Sequence, residues 1–148
     1  MKPFDDYPGC GRTLIGLVKG ANCRHEYGLA FMKKTGQTKC AYCCQADFAS
    51  SYKTWLTMAL DHVIPASVCV KWGIPAEWRE DCANIVLACS ACNSFHNRYK
   101  PSPEFTIPET IEAFFALRDR VFSERKKLIM DRHAEERDFF DSRPWEKK

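Results

Sequence analysis

Residues 83–93 read Ala-Asn-Ile-Val-Leu-Ala-Cys-Ser-Ala-Cys-Asn, after Leu-Asp-His-Val-Ile-Pro at 60–65 and Cys-Ala-Tyr-Cys-Cys at 40–44. The outer two pieces each hold a Cys-x-x-Cys pair, Cys40/Cys43 and Cys89/Cys92. A two-residue gap lets both sulfurs of one turn reach the same ion, so two such pairs compose a closed tetrahedral zinc site. Cys44 competes with Cys43, but the spacing from Cys40 favours Cys43. The rival reading is buried free thiols, since cysteine packs well in cores. Two pairs at the same spacing weigh against it. Between and beside the pairs lie Asp61, His62, Asn84 and Asn93, a carboxylate, an imidazole and two amides.

These pieces, in this order, resemble the HNH endonuclease family, whose ββα-metal module is often braced by a four-cysteine zinc. The family signature is Asp-His, then an Asn, then a further Asn or His; here Asp61-His62 is followed by Asn84 and Asn93. The resemblance covers residues 38–100 of the 148. It implies an α+β fold: a small ββα-metal core with structural zinc, flanked by N-terminal helical segments and a long C-terminal helix. The implied organisation is an arm with short helices at 1–37, the nuclease module at 38–100, and a Pro-rich linker with a helical extension at 101–148.

The resemblance also implies roles. Asp61 would bind a catalytic magnesium or manganese ion with Asn93 as a second, neutral ligand, and His62 would be the general base on water. Asn84 would fix the loop carrying the histidine. Such a protein hydrolyses DNA phosphodiesters, leaving 5′-phosphate and 3′-hydroxyl ends, and its partner is DNA, in the first instance double-stranded. Restriction, homing, phage and anti-phage roles all fit.

The residues constrain these roles independently. Asp61 and His62 are neighbours on an expected strand, so their side chains leave on opposite faces, which fits a division of labour between metal and base. Oxygen donors suit magnesium or manganese, which keep several waters and take few protein ligands. An imidazole exchanges protons near neutral pH without rearrangement. The plainer reading of Asp61-His62 is a structural hydrogen-bonded pair, and that of Asn93 is a helix N-cap. His96 could contact phosphate, bind the metal or assist the leaving group. Asn97 is a weaker ligand candidate, and Arg98 and Lys100 are candidate phosphate contacts. Cys10, Cys23 and His25 could form part of a second metal site, although zinc wants four ligands.

Two other classes compete. A non-catalytic zinc module binding nucleic acid or protein needs the four cysteines but not Asp61, His62 and Asn93 together. A zinc-dependent enzyme built on His62, His96 and a carboxylate lacks the usual pair of ligating histidines in one motif.

Composition sets the frame. With 45% apolar and 13% aromatic residues in 148, there is material for one compact core. No apolar run is long enough to span a bilayer, so no membrane association is expected. The first residues, Met-Lys-Pro-Phe-Asp-Asp, lack a signal-peptide core. The nine cysteines are an odd count, and with the Cys-x-x-Cys pairing they point to reduced, metal-bound thiols and a cytoplasmic setting. Net charge is +3, and residues 1–60 hold eight Lys/Arg against four Asp/Glu. That bias would attract a phosphate backbone, or simply solvate a surface.

Along the chain, Pro3, Pro8, Gly9 and Gly11 make an irregular arm. Short helices are expected at 12–19 and 26–34, the second closed by Gly36. Strands are expected at 59–64 and 84–88, with an elaborated loop and a helical turn at 66–81 between them. A motif helix should open at Asn93 and end before Pro101. Thr106-Ile-Pro-Glu109 reads as a capping box starting a helix to about Arg137, striped by Ile111, Phe114, Phe115, Val121, Phe122, Leu128 and Ile129. That helix could pack on its own core or make a homodimer.

Overall fold

The structure is a computed structural model and describes residues 13–18, 23–95 and 99–147. The elements among the described residues run α1 (Arg24–Thr35), α2 (Tyr52–Trp55), β1 (Met58–His62), α3 (Ala66–Lys71), α4 (Ala76–Arg79), a 3-10 turn (Cys82–Asn84), β2 (Ile85–Cys89), α5 (Ser90–Phe95) and α6 (Ile111–Ser142). A 3-10 turn at Pro144–Glu146 follows. The class is α+β: helices gathered around one two-stranded sheet.

β1 and β2 are antiparallel, with Met58 opposite Cys89 and His62 opposite Ile85. Both strands sit one residue from their expected starts, and β1 stops at His62 rather than Ile64. The ladder ends there because Asn84 takes over the pairing with its side chain. Its Oδ1 accepts from the Ile64 amide at 3.1 Å, and its Nδ2 donates to the Ile64 carbonyl at 3.2 Å. All five residues of β2 are buried, so it reads as a continuous apolar run without alternation.

At the N-terminal side, α1 ends at Gly36, whose φ of 72° places it in the left-handed region and whose amide closes on the Met32 carbonyl. Gly28 lets α1 lie against β1, since a Cβ there would come within 2.3 Å of the Met58 Cε. The helix expected at 12–19 is absent from the described part, 13–18. Instead the Ile15 and Gly16 amides donate to the Asp81 carboxylate at 3.0 and 2.7 Å, and Leu17 bridges Asp81. Gly16, at φ 102°, turns the chain for this, and a tertiary anchor overrides weak local propensity. Only one N-terminal helix is therefore seen among the described residues, not several.

The connection from 66 to 81 holds two short helices rather than one turn, each entered from a proline, Pro65 and Pro75. α5 begins at Ser90 and not at Asn93, because the Cys89-x-x-Cys92 turn is itself the first helical turn. Asn93 is thus the fourth residue of the helix and not its cap. Tyr99 and Lys100 are not helical, and 96–98 lie outside the described residues.

The long helix starts later and runs further than expected. Thr110 is its N-cap, accepting from the Ala113 amide at 3.2 Å, so the capping box at Thr106–Glu109 is not formed. Phe105 is buried, and 106–109 have no regular structure ahead of the first turn. No proline or glycine intervenes before Pro144, so the helix continues to Ser142.

One core joins these parts. Tyr42, Met58, Ile64 and Leu87 pack with Phe114, Val121 and Ile129 of α6. Leu128 is exposed, and Leu117 takes its place in the stripe. Thus α6 from Phe114 to Ile129 belongs to its own chain's core, whereas 134–142 is exposed. Among the described residues, no helix is long and apolar enough to cross a membrane.

Candidate functional site

The cysteine pairs meet because two backbone turns are tied together. The first turn is closed by the Cys40 amide on the Ala46 carbonyl at 2.8 Å and the Cys44 amide on the Cys40 carbonyl at 3.0 Å. Cys44 adopts φ 59°, an uncommon left-handed conformation for a non-glycine, and faces outward. The Ala41 amide donates to the Leu87 carbonyl of β2 at 2.8 Å, which lays this turn beside the Cys89–Cys92 turn. The sulfurs of Cys40, Cys43, Cys89 and Cys92 all lie within 4.8 Å of one another, and none is in a disulfide.

This donor set fits a tetrahedral soft-ligand ion such as zinc, whose bonds of about 2.3 Å bring thiolates to comparable mutual distances. Four crowded thiols do not ionise alike. Hydrogen bonds from Cys40 above all, then from Cys89 and Cys92, hold Cys43 far below the ordinary thiol value. Cys89 is lowered to about 6, chiefly by its hydrogen bond with Cys40. Cys40 and Cys92 are pushed up, chiefly by Cys43 and Cys40 respectively. Two of the four, Cys43 and Cys89, are thus shifted towards thiolate, the form a metal takes.

Outside this set, His133 of α6 brings Nε2 to 3.0 Å from the Cys92 sulfur, and its ring stands edge-on to Phe95 at 5.0 Å. At the start of α1, Cys23, His25 and Glu26 also approach one another, with Cys23 Sγ 3.5 Å from His25 Nε2. His25 and Glu26 are exposed, and three donors fall short of the four zinc prefers. Cys10, also considered for that site, lies outside the described residues.

Asp61 and His62, adjacent on β1, enter different hydrogen-bond groups. Asp61 Oδ2 accepts from the Tyr42 hydroxyl at 2.6 Å and pairs with Arg125 at 2.9 Å. The aspartate side chain is 12% exposed and the arginine 1%. Burial first, then the Asp61 charge, pushes the Tyr42 hydroxyl well above its ordinary value, so it stays a donor. Both bonds use Oδ2; Oδ1 takes part in neither.

His62 is 30% exposed, and its Nε2 lies 2.9 Å from Glu80 Oε2. Arg79 holds the other oxygen of Glu80 at 2.8 Å. Burial alone would raise the Glu80 carboxyl, but the hydrogen bonds from His62 and Arg79 outweigh it and lower the value from 4.5. The carboxylate is thus ionised beside the imidazole. A carboxylate only accepts, so in this pair Nε2 is the donor.

Asn84 is fully buried and bridges the segment after β1 to the one before β2, with Nδ2 also donating to the Arg79 carbonyl at 3.1 Å. It therefore holds both the His62 end of β1 and the Glu80 segment. Asn93 is half-buried on α5, and Lys100 is exposed. His96, Asn97 and Arg98 lie outside the described residues.

Five contributors escaped the sequence reading: Tyr42, Glu80, Arg118, Arg125 and His133. Arg118 and Arg125 had a visible signal, being charged residues seven apart on the apolar stripe of α6. Both are fully buried; Arg118 donates to the Ala83 carbonyl at 2.7 Å. Glu80 and Tyr42 carried no such signal, since only the fold brings them to their partners.

No family model, no curated protein and no solved structure matches this chain.

Proposed function

We propose that the protein is a metal-dependent HNH-type endonuclease acting on DNA phosphodiesters, with a zinc-braced ββα core. The observation that carries this reading is the oriented His62: half-open to solvent, with its Nε2 held by an ionised glutamate, at the end of a strand that closes on a four-thiol cluster. An imidazole so held is prepared to take a proton from water at Nδ1. Glu80 stabilises the imidazolium that results, and Arg79 keeps Glu80 in place. Asn84 sets the loop geometry on which both depend.

A magnesium or manganese ion, when bound, would supply Lewis-acid stabilisation of charge on the phosphoryl and leaving oxygens. Asp61 Oδ1 and the Asn93 amide are the oxygens this chain would offer it. Zinc on the four cysteines would be structural. Double-stranded DNA is the proposed substrate, with Arg98 and Lys100 among the phosphate contacts. A homodimer would use the exposed 134–142 stretch of α6, because the part before it packs on its own chain.

One observation favours the alternative, a zinc-binding module that binds nucleic acid or protein without catalysis. Asp61 already serves a buried arginine and a tyrosine, so its charge has a structural use without any metal. Supercoiled plasmid incubated with purified protein and magnesium, manganese or EDTA decides between the two. Metal-dependent nicking that EDTA stops is the expected result; binding without nicking would establish the alternative.

A further inference from the structure

One face of α6 carries three polar residues inward. Arg118 reaches the carbonyl of Ala83 just before β2, Arg125 reaches Asp61 and the end of β1, and His133 reaches the Cys92 sulfur. Spacings of seven and eight keep all three on one side of a helix turning about 100° per residue. His133 is thus the third anchor of the same rail, and its target is the metal centre.

We propose that His133 is the outer partner of that centre. Its Nε2–H donates to the Cys92 thiolate, so that metal loading and the seating of α6 are linked. This rests on the four-cysteine metal reading and goes beyond it. Three features support donation over ligation. The nitrogen is 3.0 Å from Cys92, yet His133 does not belong to the set whose donor atoms all lie within 4.8 Å of one another. Four sulfurs would already fill the four positions zinc prefers, leaving none for a fifth ligand. The ring also stands edge-on to Phe95 of α5, the helix that Cys92 itself belongs to, a contact the imidazole would lose on turning away.

A hydrogen bond to a metal-bound thiolate withdraws charge from sulfur and orients it. Partners of this kind typically change metal affinity by about 10- to 100-fold when removed. Here the donor comes from a helix far along the chain, so the metal tethers α6 as well as its own two turns. Ion loss should loosen the helix that holds Asp61 and the His62 carbonyl.

The test uses the full chain as wild type, His133→Leu and His133→Gln, each loaded with cobalt(II) or zinc. In the cobalt form, His133→Leu should shift the sulfur-to-cobalt charge-transfer band to lower energy, because an undamped thiolate is easier to oxidise. In the zinc form, it should release the ion to a chromogenic chelator about ten times faster or more. His133→Gln retains an N–H donor and should recover part of both. Wild-type protein loaded with cadmium-113 should also show coupling between the metal and the His133 Nε2 proton, a readout that needs no variant. A tetrathiolate cobalt spectrum in wild type with an unchanged band and release rate in His133→Leu, or no such coupling in the cadmium protein, would overturn the proposal alone. Wild-type protein giving no tetrathiolate spectrum would overturn the four-cysteine reading with it.

Discussion

Arg125 pairs with Asp61 at 2.9 Å, and its other amino nitrogen donates to the His62 and Val63 carbonyls at 2.7 and 3.0 Å. One buried guanidinium thus fixes both the carboxylate of the Asp-His pair and the backbone that carries the histidine. Removing one partner of a buried pair leaves the other charge uncompensated, at a cost of about 3–5 kcal/mol. Asp61→Ala should therefore lower stability by about that amount in urea unfolding. Asp61→Ala combined with Arg125→Met should recover much of the loss. If Asp61→Ala unfolds like wild type and differs only in metal response, the Arg125 pair has no structural weight.

His62→Ala should stop nicking while folding and zinc content stay near wild type. Loss of a general base costs about a hundred- to ten-thousand-fold in rate. Glu80→Gln should slow nicking less than this, since it loosens the imidazole without removing it. Equal plasmid nicking by His62→Ala and wild type would remove His62 from the mechanism.

The Glu80 pairing also has a pH signature. Its carboxyl is lower in the folded protein than the ordinary 4.5, so folding favours the ionised form. Its contribution to stability is complete above the unfolded value and fades as pH falls through the folded one. Titration of unfolding free energy should show this loss below about pH 4.5 in wild type and a shallower one in Glu80→Gln. Identical curves would mean that the pairing adds nothing to the folded state.

Much of the frame was legible in the sequence, for identifiable reasons. Cysteine spacing is a local property, so the Cys40/Cys43 and Cys89/Cys92 turns could be read directly, and they meet as expected. Gly36 and the apolar run of β2 are likewise local signals. The start of α5 was misplaced because a metal-type turn and a helical turn share one backbone shape at Cys89–Cys92. The start of α6 was misplaced because Thr106 and Thr110 are both competent caps, and the fold, which buries Phe105 and Pro108, uses Thr110. What stayed hidden was non-local: Glu80 beside His62, Asp81 catching residues 15–16, and two buried arginines on an apolar face.

Asn84 offers a sharper test of the loop. It is fully buried and serves the amide and carbonyl of Ile64 and the carbonyl of Arg79. Asn84→Ala leaves these backbone groups without their partner, with an unsatisfied buried polar group costing about 1–3 kcal/mol. Nicking should fall further than stability, because the His62 and Glu80 ends move apart. Loss of stability with wild-type nicking by the folded fraction would confine Asn84 to the fold.

Structural and catalytic metals would differ in their ligands and so in how they are lost. Cys89→Ser should destabilise the whole module, because metal binding to four thiolates is coupled to folding in a domain this small. A low concentration of EDTA should instead stop nicking reversibly while the circular dichroism spectrum persists, because thiolates hold zinc far more tightly than oxygen ligands hold magnesium. Elemental analysis should find about one zinc per chain as purified, and nicking should return on adding only magnesium or manganese. The cluster makes this pH-sensitive in one direction. Thiols must be deprotonated to hold the ion, so zinc should be shed as acid protonates the thiolates. Well-folded protein that contains no zinc would refute the four-cysteine assignment, and with it the ground for setting His62 and Asn93 in one site.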